Sequence, residues 1–218
     1  MTTVIRTEPD LAVESALFAT GAGVVIGMDE VGRGALAGPV AVGAVILTSQ
    51  HLAEPERVPV GLRDSKLLSE PRREALYEPL RAWAVHSAVG MASATEIDRL
   101  GIVACLGMAA RRALTTLHAR EAVPQDSAVL LDGTHDWLSP VLARPLRVEL
   151  RAGADRDCVS VAAASVLAKV SRDRLMIFAS EEYPAYDWQS NKGYGSARHR
   201  AAIDRVGLTV HHRRTWIH

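Results

Sequence analysis

The sequence predicts an α/β domain with a mixed β-sheet, and three observations support this class. Two β-branched apolar runs, residues 24–28 and 39–47, stand close enough to pair as a hairpin. Two Ala-rich stretches, residues 102–119 and 159–178, have helical length, and the second contains neither Gly nor Pro. Short apolar runs and helical patterns alternate without a linker or an internal repeat. We therefore expect one domain over residues 1–218.

Local signals predict each element in chain order. Ser69 is typical of a helix N-cap, and Pro71 fits the first turn of the helix that follows. Two prolines and several charges predict an exposed loop at residues 48–62. The other expected elements are a helix at 8–20, strands at 24–28 and 39–47, a helix at 74–83, a strand at 84–92, a helix at 102–119, strands at 128–131 and 146–150, and helices at 159–178 and 196–206.

Composition excludes several classes of protein. Hydrophobic residues are 48% and charged residues 23%, values that exclude disordered and fibrous chains. Lys plus Arg and Asp plus Glu both number 25, so a nucleic-acid partner would need a local basic face. Cys105 and Cys158 are too few for a disulfide scaffold and are typical of free thiols in a reducing compartment. The longest apolar stretch, residues 37–47, is too short to span a bilayer, so we expect a cytoplasmic protein without membrane contact.

Carboxylates follow two of the predicted strands. Asp29 and Glu30 come after the first strand, beside a Gly-Arg-Gly turn, and Asp132 follows the strand at 128–131. If these strands are parallel neighbours, the acids meet at one sheet edge and offer oxygen ligands to Mg²⁺ or Mn²⁺. Consecutive strand residues face opposite ways, so Asp29 and Glu30 share a metal only if the strand turns at Glu30. The alternative is that these charges only mark solvated strand ends.

A third acidic segment precedes the long helix that starts near Val159. Asp155 and Asp157 both lie where a carboxylate stabilises a helix N-terminus. Capping of the helix and metal ligation are both compatible with this position. The residues alone do not choose between the two aspartates.

The glycines at positions 32, 34 and 38 invite comparison with a dinucleotide-binding turn. Asp29 and Glu30 would repel a pyrophosphate there. Pro39 and another apolar strand follow where that motif requires a helix. We therefore reject nucleotide binding at this segment.

Six ordered blocks resemble the type 2 ribonuclease H family, and they span most of the chain. A third type of ribonuclease H is similar but carries Lys in place of Arg33 and an added N-terminal domain, whereas only 28 residues precede Asp29 here. The blocks are residues 29–34 (DEVGRG), 37–40 (AGPV), 64–66 (DSK), 131–133 (LDG), 160–170 (SVAAASVLAKV) and 193–196 (GYGS).

The resemblance implies a ribonuclease H-like fold, with helices flanking a mixed central sheet and a small helical C-terminal segment. It also implies an endonuclease that uses two Mg²⁺ or Mn²⁺ ions to cleave the RNA strand of RNA–DNA hybrids. Such enzymes also nick 5′ of single ribonucleotides embedded in duplex DNA, leaving 3′-hydroxyl and 5′-phosphate ends. By motif position, Asp155 is favoured over Asp157 because it lies ten residues before Ser165. The implied catalytic and metal-binding residues are Asp29, Glu30, Asp132 and Asp155.

The resemblance also implies how the substrate is bound. The turn Gly32-Arg33-Gly34 would sense the ribose 2′-hydroxyl, because glycine lets the backbone approach closely. Tyr194 would stack on the next sugar and favour deoxyribose there. Residues 180–218 form the expected substrate-binding segment, with an excess of cations from residue 192 onward. Lys66, Ser165 and Lys169 are expected to contact backbone phosphates, although Lys169 is also spaced to pair with Asp173.

Two other functions deserve comparison with this expectation. A DNA nuclease or resolvase on the same fold would not need a 2′-hydroxyl, and the Gly-Arg-Gly turn and Tyr194 argue against it. A non-catalytic hybrid-binding protein would be weakened by clustered carboxylates at a phosphate-binding site. We therefore expect a monomeric enzyme whose partners are RNA–DNA hybrids and ribonucleotide-containing duplex DNA.

Overall fold

The computed structural model describes residues 8–120 and 123–217. Their strands form one sheet in the order β3-β2-β1-β4-β5. The strands are β1 (Val25–Val31), β2 (Val40–Leu47), β3 (His86–Ala92), β4 (Ala128–Asp132) and β5 (Arg147–Arg151). The α-helices are α1 (Ala12–Ala19), α2 (Gln50–Ala53), α3 (Glu70–Trp83), α4 (Ala94–Leu100), α5 (Ile102–His118), α6 (Ala154–Asp157), α7 (Val159–Glu182), α8 (Trp188–Asn191) and α9 (Ala197–Val206).

The sheet is mixed, as the sequence predicts. β1 pairs antiparallel with β2, and β2 pairs antiparallel with β3, so the expected hairpin is confirmed. β1 also pairs in parallel with β4, and β4 pairs in parallel with β5. The parallel pairing brings the carboxyl ends of β1 and β4 to the same edge of the sheet. This edge is where the sequence analysis expects the acidic side chains to meet.

Helices cover both faces of the sheet. Ile26 and Met28 pack in one apolar cluster with Leu106 of α5. The opposite face lies against α7, where a Cβ on Gly27 or on Gly43 would overlap helix backbone atoms. These two glycines therefore allow the helix axis to approach the sheet closely. The close approach fixes the side chains of α7 against the alternate residues of β1, which include Asp29.

The structure differs from the expected elements in several places, and two of these differences have a clear physical reason. β1 continues through Asp29 and Glu30 instead of ending before them, because Glu30 pairs with Val42 of β2. Helix α4 is absent from the expected elements although its start carries a capping box. Ser93 Oγ accepts from the Glu96 amide, and the Ser93 amide donates to the Glu96 carboxylate.

Several aromatic and sulfur-containing residues lie in the interior of the protein. Trp137 and Trp188 are buried, and Cys105 and Cys158 are buried free thiols. Within the two described ranges, no helix has both the length and the apolar character needed to cross a membrane.

Candidate active site

Asp29 and Glu30 lie on opposite faces of the sheet edge. Asp29 faces α7 and is only 3% exposed. Its Oδ1 accepts a hydrogen bond of 2.8 Å from the Glu30 amide. Glu30 faces the other way, and its carboxylate lies 3.4 Å from the guanidinium of Arg33. The strand therefore does not turn at Glu30, which was the condition for both acids to share one metal.

Asp132 and Asp155 lie on the same side of the sheet as Asp29. Asp132 ends β4, one residue beyond the Met28–Leu131 pair that joins β4 to β1. Its Oδ1 accepts a hydrogen bond of 2.7 Å from the Ala154 amide, which brings α6 to the edge of the sheet. Asp155 is buried in α6. The predicted meeting of carboxylates from neighbouring parallel strands is thus confirmed.

Asp155 and Asp157 have different partners, which separates two residues that the sequence alone left equivalent. The carboxylate of Asp155 lies 2.9 Å from Lys66 Nζ. Asp157 instead pairs with Arg156 at 2.8 Å and Arg151 at 2.9 Å, and the Arg156 hydrogen bond lowers its pKa. Only Asp155 belongs to the acidic group at the sheet edge.

The alternative in which Asp155 or Asp157 caps the long helix does not hold. The N-cap of α7 is Cys158, and the cap position makes no side-chain hydrogen bond. The first turn is instead satisfied from α1. Glu14 Oε1 accepts from both the amide and the hydroxyl of Ser160, each at 2.8 Å.

Burial, and to a smaller extent mutual repulsion, raises the pKa values of Asp29, Glu30 and Asp132. Burial holds the pKa of Asp29 well above its usual range, and neighbouring Glu30, Asp132 and Asp155 add to the shift against a hydrogen bond from Ser165. Burial likewise raises the pKa of Glu30, against the opposing charge of Arg33. The pKa of Asp132 is raised by burial and by the charge of Asp155. The edge is therefore an arrangement of carboxylates that requires a positive charge.

Lys66 supplies part of that charge. It lies in a short 3₁₀ turn (Ser65–Leu67), in which the Asp64 side chain accepts a hydrogen bond from the Lys66 amide. Burial lowers the pKa of Lys66, but the hydrogen bond to Asp155 and the charges of Asp155 and Asp29 outweigh it, so the pKa is raised. Its side chain is still 69% exposed and faces solvent beside the acids.

The donor set fits a hard divalent cation. All four acidic side chains offer oxygen atoms, which Mg²⁺ and Mn²⁺ prefer, and three of them have raised pKa values that an added cation would relieve. Across residues 8–120 and 123–217, no group of three or more His, Cys, Asp or Glu side chains is already arranged to hold a metal ion. In this arrangement Asp155 is paired with Lys66, and Glu30 faces away from Asp29.

Ser165 lies behind Asp29, not on an open surface. It is buried on α7, and its hydroxyl is 2.8 Å from that of Ser65. Lys169, one turn further along, pairs with Asp173 at 2.5 Å. The pairing that the i, i+4 spacing allows is therefore confirmed, and the pair is largely buried instead of lying on the surface. Burial lowers the pKa of Lys169.

The turn after β1 is held by two buried arginines, Arg172 and Arg213, whose role at this turn was not predicted from the sequence. Gly32 has a φ of +82°, in the region that favours glycine. Arg213 donates to the carbonyls of Gly32 and Arg33, at 2.6 and 2.8 Å, and also to Gly38. Arg172 lies directly against Gly32 and donates to the carbonyls of Ala37 and Pro39, which follow the turn. Arg172 could have been recognised from the sequence, because an arginine within the apolar pattern of a buried helix indicates a structural role.

Tyr194 lies beside this turn. It is 37% exposed, and its ring centroid is 5.4 Å from the guanidinium carbon of Arg172. The preceding carbonyl, of Gly193, accepts from the amides of Leu36 and Ala37 at 2.9 and 3.0 Å. The Gly-Arg-Gly turn and the Gly-Tyr-Gly turn are therefore joined through the backbone.

The expected basic face is smaller than its sequence suggests. Lys192 is buried and pairs with Glu70 at 3.1 Å, and Arg213 is fully buried. These two cations do not contribute an exposed charge, so their inclusion in the face was wrong. The arginines of residues 192–217 that remain exposed are Arg198, Arg200, Arg205 and Arg214.

Comparisons with known proteins agree with this arrangement. Residues 26–218 match the family model described as Ribonuclease HII. The chain is 46% identical over 209 residues to ribonuclease HII of Streptomyces coelicolor, covering 95% of this chain and 83% of that protein. It is 43% identical over 213 residues to ribonuclease HII of Paracoccus denitrificans, covering 95% and 91% respectively.

Solved structures show the same fold. Ribonuclease H2 of Pyrococcus horikoshii matches with a TM-score of 0.66 and 25% identity, covering 88% of this chain and 93% of that one. Ribonuclease HIII in complex with Mn²⁺ matches with a TM-score of 0.69 over 88% of this chain and 65% of that one, at 22% identity, which supports the fold alone. The sheet topology, the family match and the curated relatives together show that the chain belongs to the ribonuclease HII family and is an endonuclease of the ribonuclease H type.

Proposed function

We propose that this ribonuclease H nicks duplex DNA on the 5′ side of single embedded ribonucleotides, and that it also cleaves the RNA strand of RNA–DNA hybrids. The reaction is hydrolysis assisted by two divalent cations, and it leaves 3′-hydroxyl and 5′-phosphate ends. The observation that carries the proposal is the meeting of Asp29, Asp132 and Asp155 at one sheet edge, beside the Gly32–Gly34 turn.

Asp29, Glu30, Asp132 and Asp155 are the residues that would hold Mg²⁺ or Mn²⁺. Bound divalent ions activate water as a nucleophile and stabilise the charge on the leaving oxygen. The protein's own part is to fix the ligand oxygens. The Ala154 amide holds one oxygen of Asp132, and the Glu30 amide holds one oxygen of Asp29. These backbone contacts orient the carboxylates before any ion or substrate arrives.

Selection of the ribose rests on the turn after β1. Gly34 is exposed, and a Cβ placed on it would meet no atom within 4 Å, so this face of the turn is open. Backbone groups of Gly32, Arg33 and Gly34 can therefore approach a 2′-hydroxyl without a side chain intervening. The partly exposed ring of Tyr194 stacks on the following sugar and favours deoxyribose there.

Several side chains near the acids are placed to contact the phosphates of the substrate backbone. Lys66 is mostly exposed and lies beside Asp155, so it is well placed for a phosphate. Ser165 and Lys169 contact phosphate only after releasing Ser65 and Asp173. Residues 180–218 form the substrate-binding segment of a single domain, and its exposed arginines attract the backbone of the duplex. The enzyme acts as a cytoplasmic monomer, with nucleic acid as its partner and no membrane contact.

A matched pair of variants tests the assignment of the acids. Asp155→Asn removes a carboxylate from the sheet edge, whereas Asp157→Asn removes the neighbouring carboxylate that pairs with two arginines. We expect the first variant to lower the single-turnover cleavage rate of an RNA–DNA hybrid in Mg²⁺ by about a hundredfold or more. The second should retain most of the rate. Equal losses in both variants would contradict the assignment.

A further inference from the structure

Three aromatic side chains form a buried hydrogen-bonded network behind Tyr194. Trp188, His199 and His212 are each at most 1% exposed. Trp188 Nε1 donates to His199 Nε2 at 3.0 Å, and His212 Nε2 lies 3.1 Å from the same nitrogen. The other ring nitrogen of His199, Nδ1, lies 2.8 Å from the carbonyl oxygen of Tyr194.

The partners of the two rings fix their tautomers. The amide of Thr209 can only donate, and it lies 2.9 Å from His212 Nδ1, so the proton of His212 must be on Nε2. The carbonyl of Tyr194 can only accept, so the proton of His199 must be on Nδ1. His199 Nε2 then carries a single lone pair, and the N–H groups of Trp188 and His212 share it as donors. The hydrogen-bond partners are therefore consistent with one tautomer for each ring, His199 protonated on Nδ1 and His212 on Nε2.

Burial keeps both rings neutral near pH 7. Burial lowers the pKa of His212 to about 4, and nearby His199, His211 and Arg214 add to the shift. Burial also lowers the pKa of His199, against the hydrogen bond to the Tyr194 carbonyl. The neutral tautomers are therefore the species that hold this part of the molecule together.

The backbone of His212 belongs to the other recognition segment. His212 forms an antiparallel bridge with Ala37, three residues after Gly34. The flanking residues extend the contact, because the Gly38 amide donates to the carbonyl of His211 at 2.8 Å. One ring of the network is thus anchored to the segment that follows the Gly-Arg-Gly turn, and the other ring holds the backbone of Tyr194.

We propose that the hydrogen bond between His212 and His199 is a positioning joint that sets the placement of Tyr194 relative to the Gly32–Gly34 turn. This inference rests on the proposed function, in which the turn reads the ribose and Tyr194 reads the next sugar. His199 and His212 touch no substrate. They act by holding Tyr194 at a fixed position relative to the Gly32–Gly34 turn. This position sets the preference for a ribonucleotide followed by deoxyribose.

The test compares three variants in one assay. His212→Leu keeps an apolar side chain of similar volume but removes the donor to His199. His212→Gln keeps a side-chain N–H directed toward His199. His51→Leu is the matched control, because the Thr48 amide donates to His51 Nδ1 at 3.1 Å as the Thr209 amide does to His212, but beyond the far end of β2.

The measured quantity is a ratio of kcat/KM values. The numerator is cleavage of a duplex with one ribonucleotide followed by DNA, and the denominator is cleavage of a duplex with a run of ribonucleotides. We expect His212→Leu to lower the ratio about tenfold, as misplacement of a recognition group does. His212→Gln should keep the ratio close to that of the wild type. His51→Leu should leave the ratio unchanged, even if its Tm falls as much as that of His212→Leu.

A second measurement uses the wild-type protein and so tests the inference even if His212→Leu does not fold. Long-range ¹⁵N–¹H spectra of the wild-type histidine rings should show His199 protonated on Nδ1 and His212 on Nε2. Other tautomers, or an unchanged ratio in folded His212→Leu, would overturn the inference while leaving the proposed function intact. Loss of the ratio in His51→Leu would also overturn it. A wild-type protein that cuts no ribonucleotide-containing duplex would overturn both.

Discussion

Gly32→Ala should mainly destabilise the fold, whereas Gly34→Ala should leave the fold intact and mainly reduce cleavage. Gly32 has a φ of +82°, and a Cβ there would overlap the side chain of Arg172. Gly34 has no positive φ, and a Cβ there would meet no atom within 4 Å. The two positions are separated by one residue in the same turn. They therefore distinguish the stability of the turn from its access to substrate.

The expected cost of Gly32→Ala follows from two contributions. A non-glycine residue in the left-handed region costs about 1–2 kcal/mol. Displacing Arg172 weakens its bonds to the carbonyls of Pro39, Ala37 and Lys192, and losing one buried bond costs about 1–3 kcal/mol. The sum is about 2–5 kcal/mol of unfolding free energy. For a chain of this size, each kcal/mol lowers Tm by about 2–4 °C.

Gly34→Ala should leave the fold intact and reduce cleavage. Its free energy of unfolding should be unchanged or raised by up to about 1 kcal/mol, because alanine restricts the unfolded chain. Its new methyl group would stand between the backbone and a ribose, so kcat/KM on a single-ribonucleotide duplex should fall about tenfold or more. Urea unfolding and nicking assays measure the two effects. A normal Tm in Gly32→Ala, or full nicking in Gly34→Ala, would refute the reasoning.

Three further predictions concern charges at the site and beneath it. Because burial and neighbouring acids raise the folded pKa of Asp29, the metal-free protein should lose stability as pH rises from the unfolded pKa through the folded one. Asp29→Asn should flatten that dependence in thermal unfolding; an unchanged profile would contradict it. Lys66→Met should strengthen Mn²⁺ binding by up to about fivefold, as calorimetry would measure. The substitution removes a mostly exposed cation that competes for Asp155, and its ion pair contributes roughly 1 kcal/mol or less. Weaker binding in this variant would argue against competition. Glu14→Ala should lower the unfolding free energy by about 1–3 kcal/mol, because the Ser160 amide loses its acceptor, and Glu14→Gln should lose less. Equal urea midpoints for the two Glu14 variants would count against this role.

The sequence predicted that the acids would meet only on the condition that two strands are parallel neighbours. Apolar strands that end in a carboxylate indicated that Asp29 and Asp132 would meet if their strands were parallel neighbours, and the sheet has that pairing. The end of β1 was misjudged because acidic residues rarely favour strands. Pairing of Glu30 with Val42 of β2 overrides that preference. The resemblance then favoured Asp155, which lies close enough to Asp29 and Asp132 for its charge to raise their pKa values.

Features that depend on burial were beyond the sequence pattern. A run of cations reads as an exposed face, yet Lys192 and Arg213 lie inside the protein because carbonyls and Glu70 satisfy their charges. The contact between His199 and His212 joins side chains whose partners are set only by the folded chain. Helix α4 is a different case, because its Ser93–Glu96 capping box was readable in the sequence.

Cleavage of a DNA duplex that holds one ribonucleotide tests the central claim most directly. The comparison uses an otherwise identical all-DNA duplex, with Mg²⁺, Mn²⁺ or a chelator, and with wild-type protein beside Asp132→Asn. The account predicts metal-dependent nicking 5′ of the ribonucleotide by the wild type alone, and no cutting of the all-DNA duplex. Equal cutting of both duplexes would contradict it in favour of a DNA nuclease, and binding without cutting in either metal would contradict it in favour of a hybrid-binding protein.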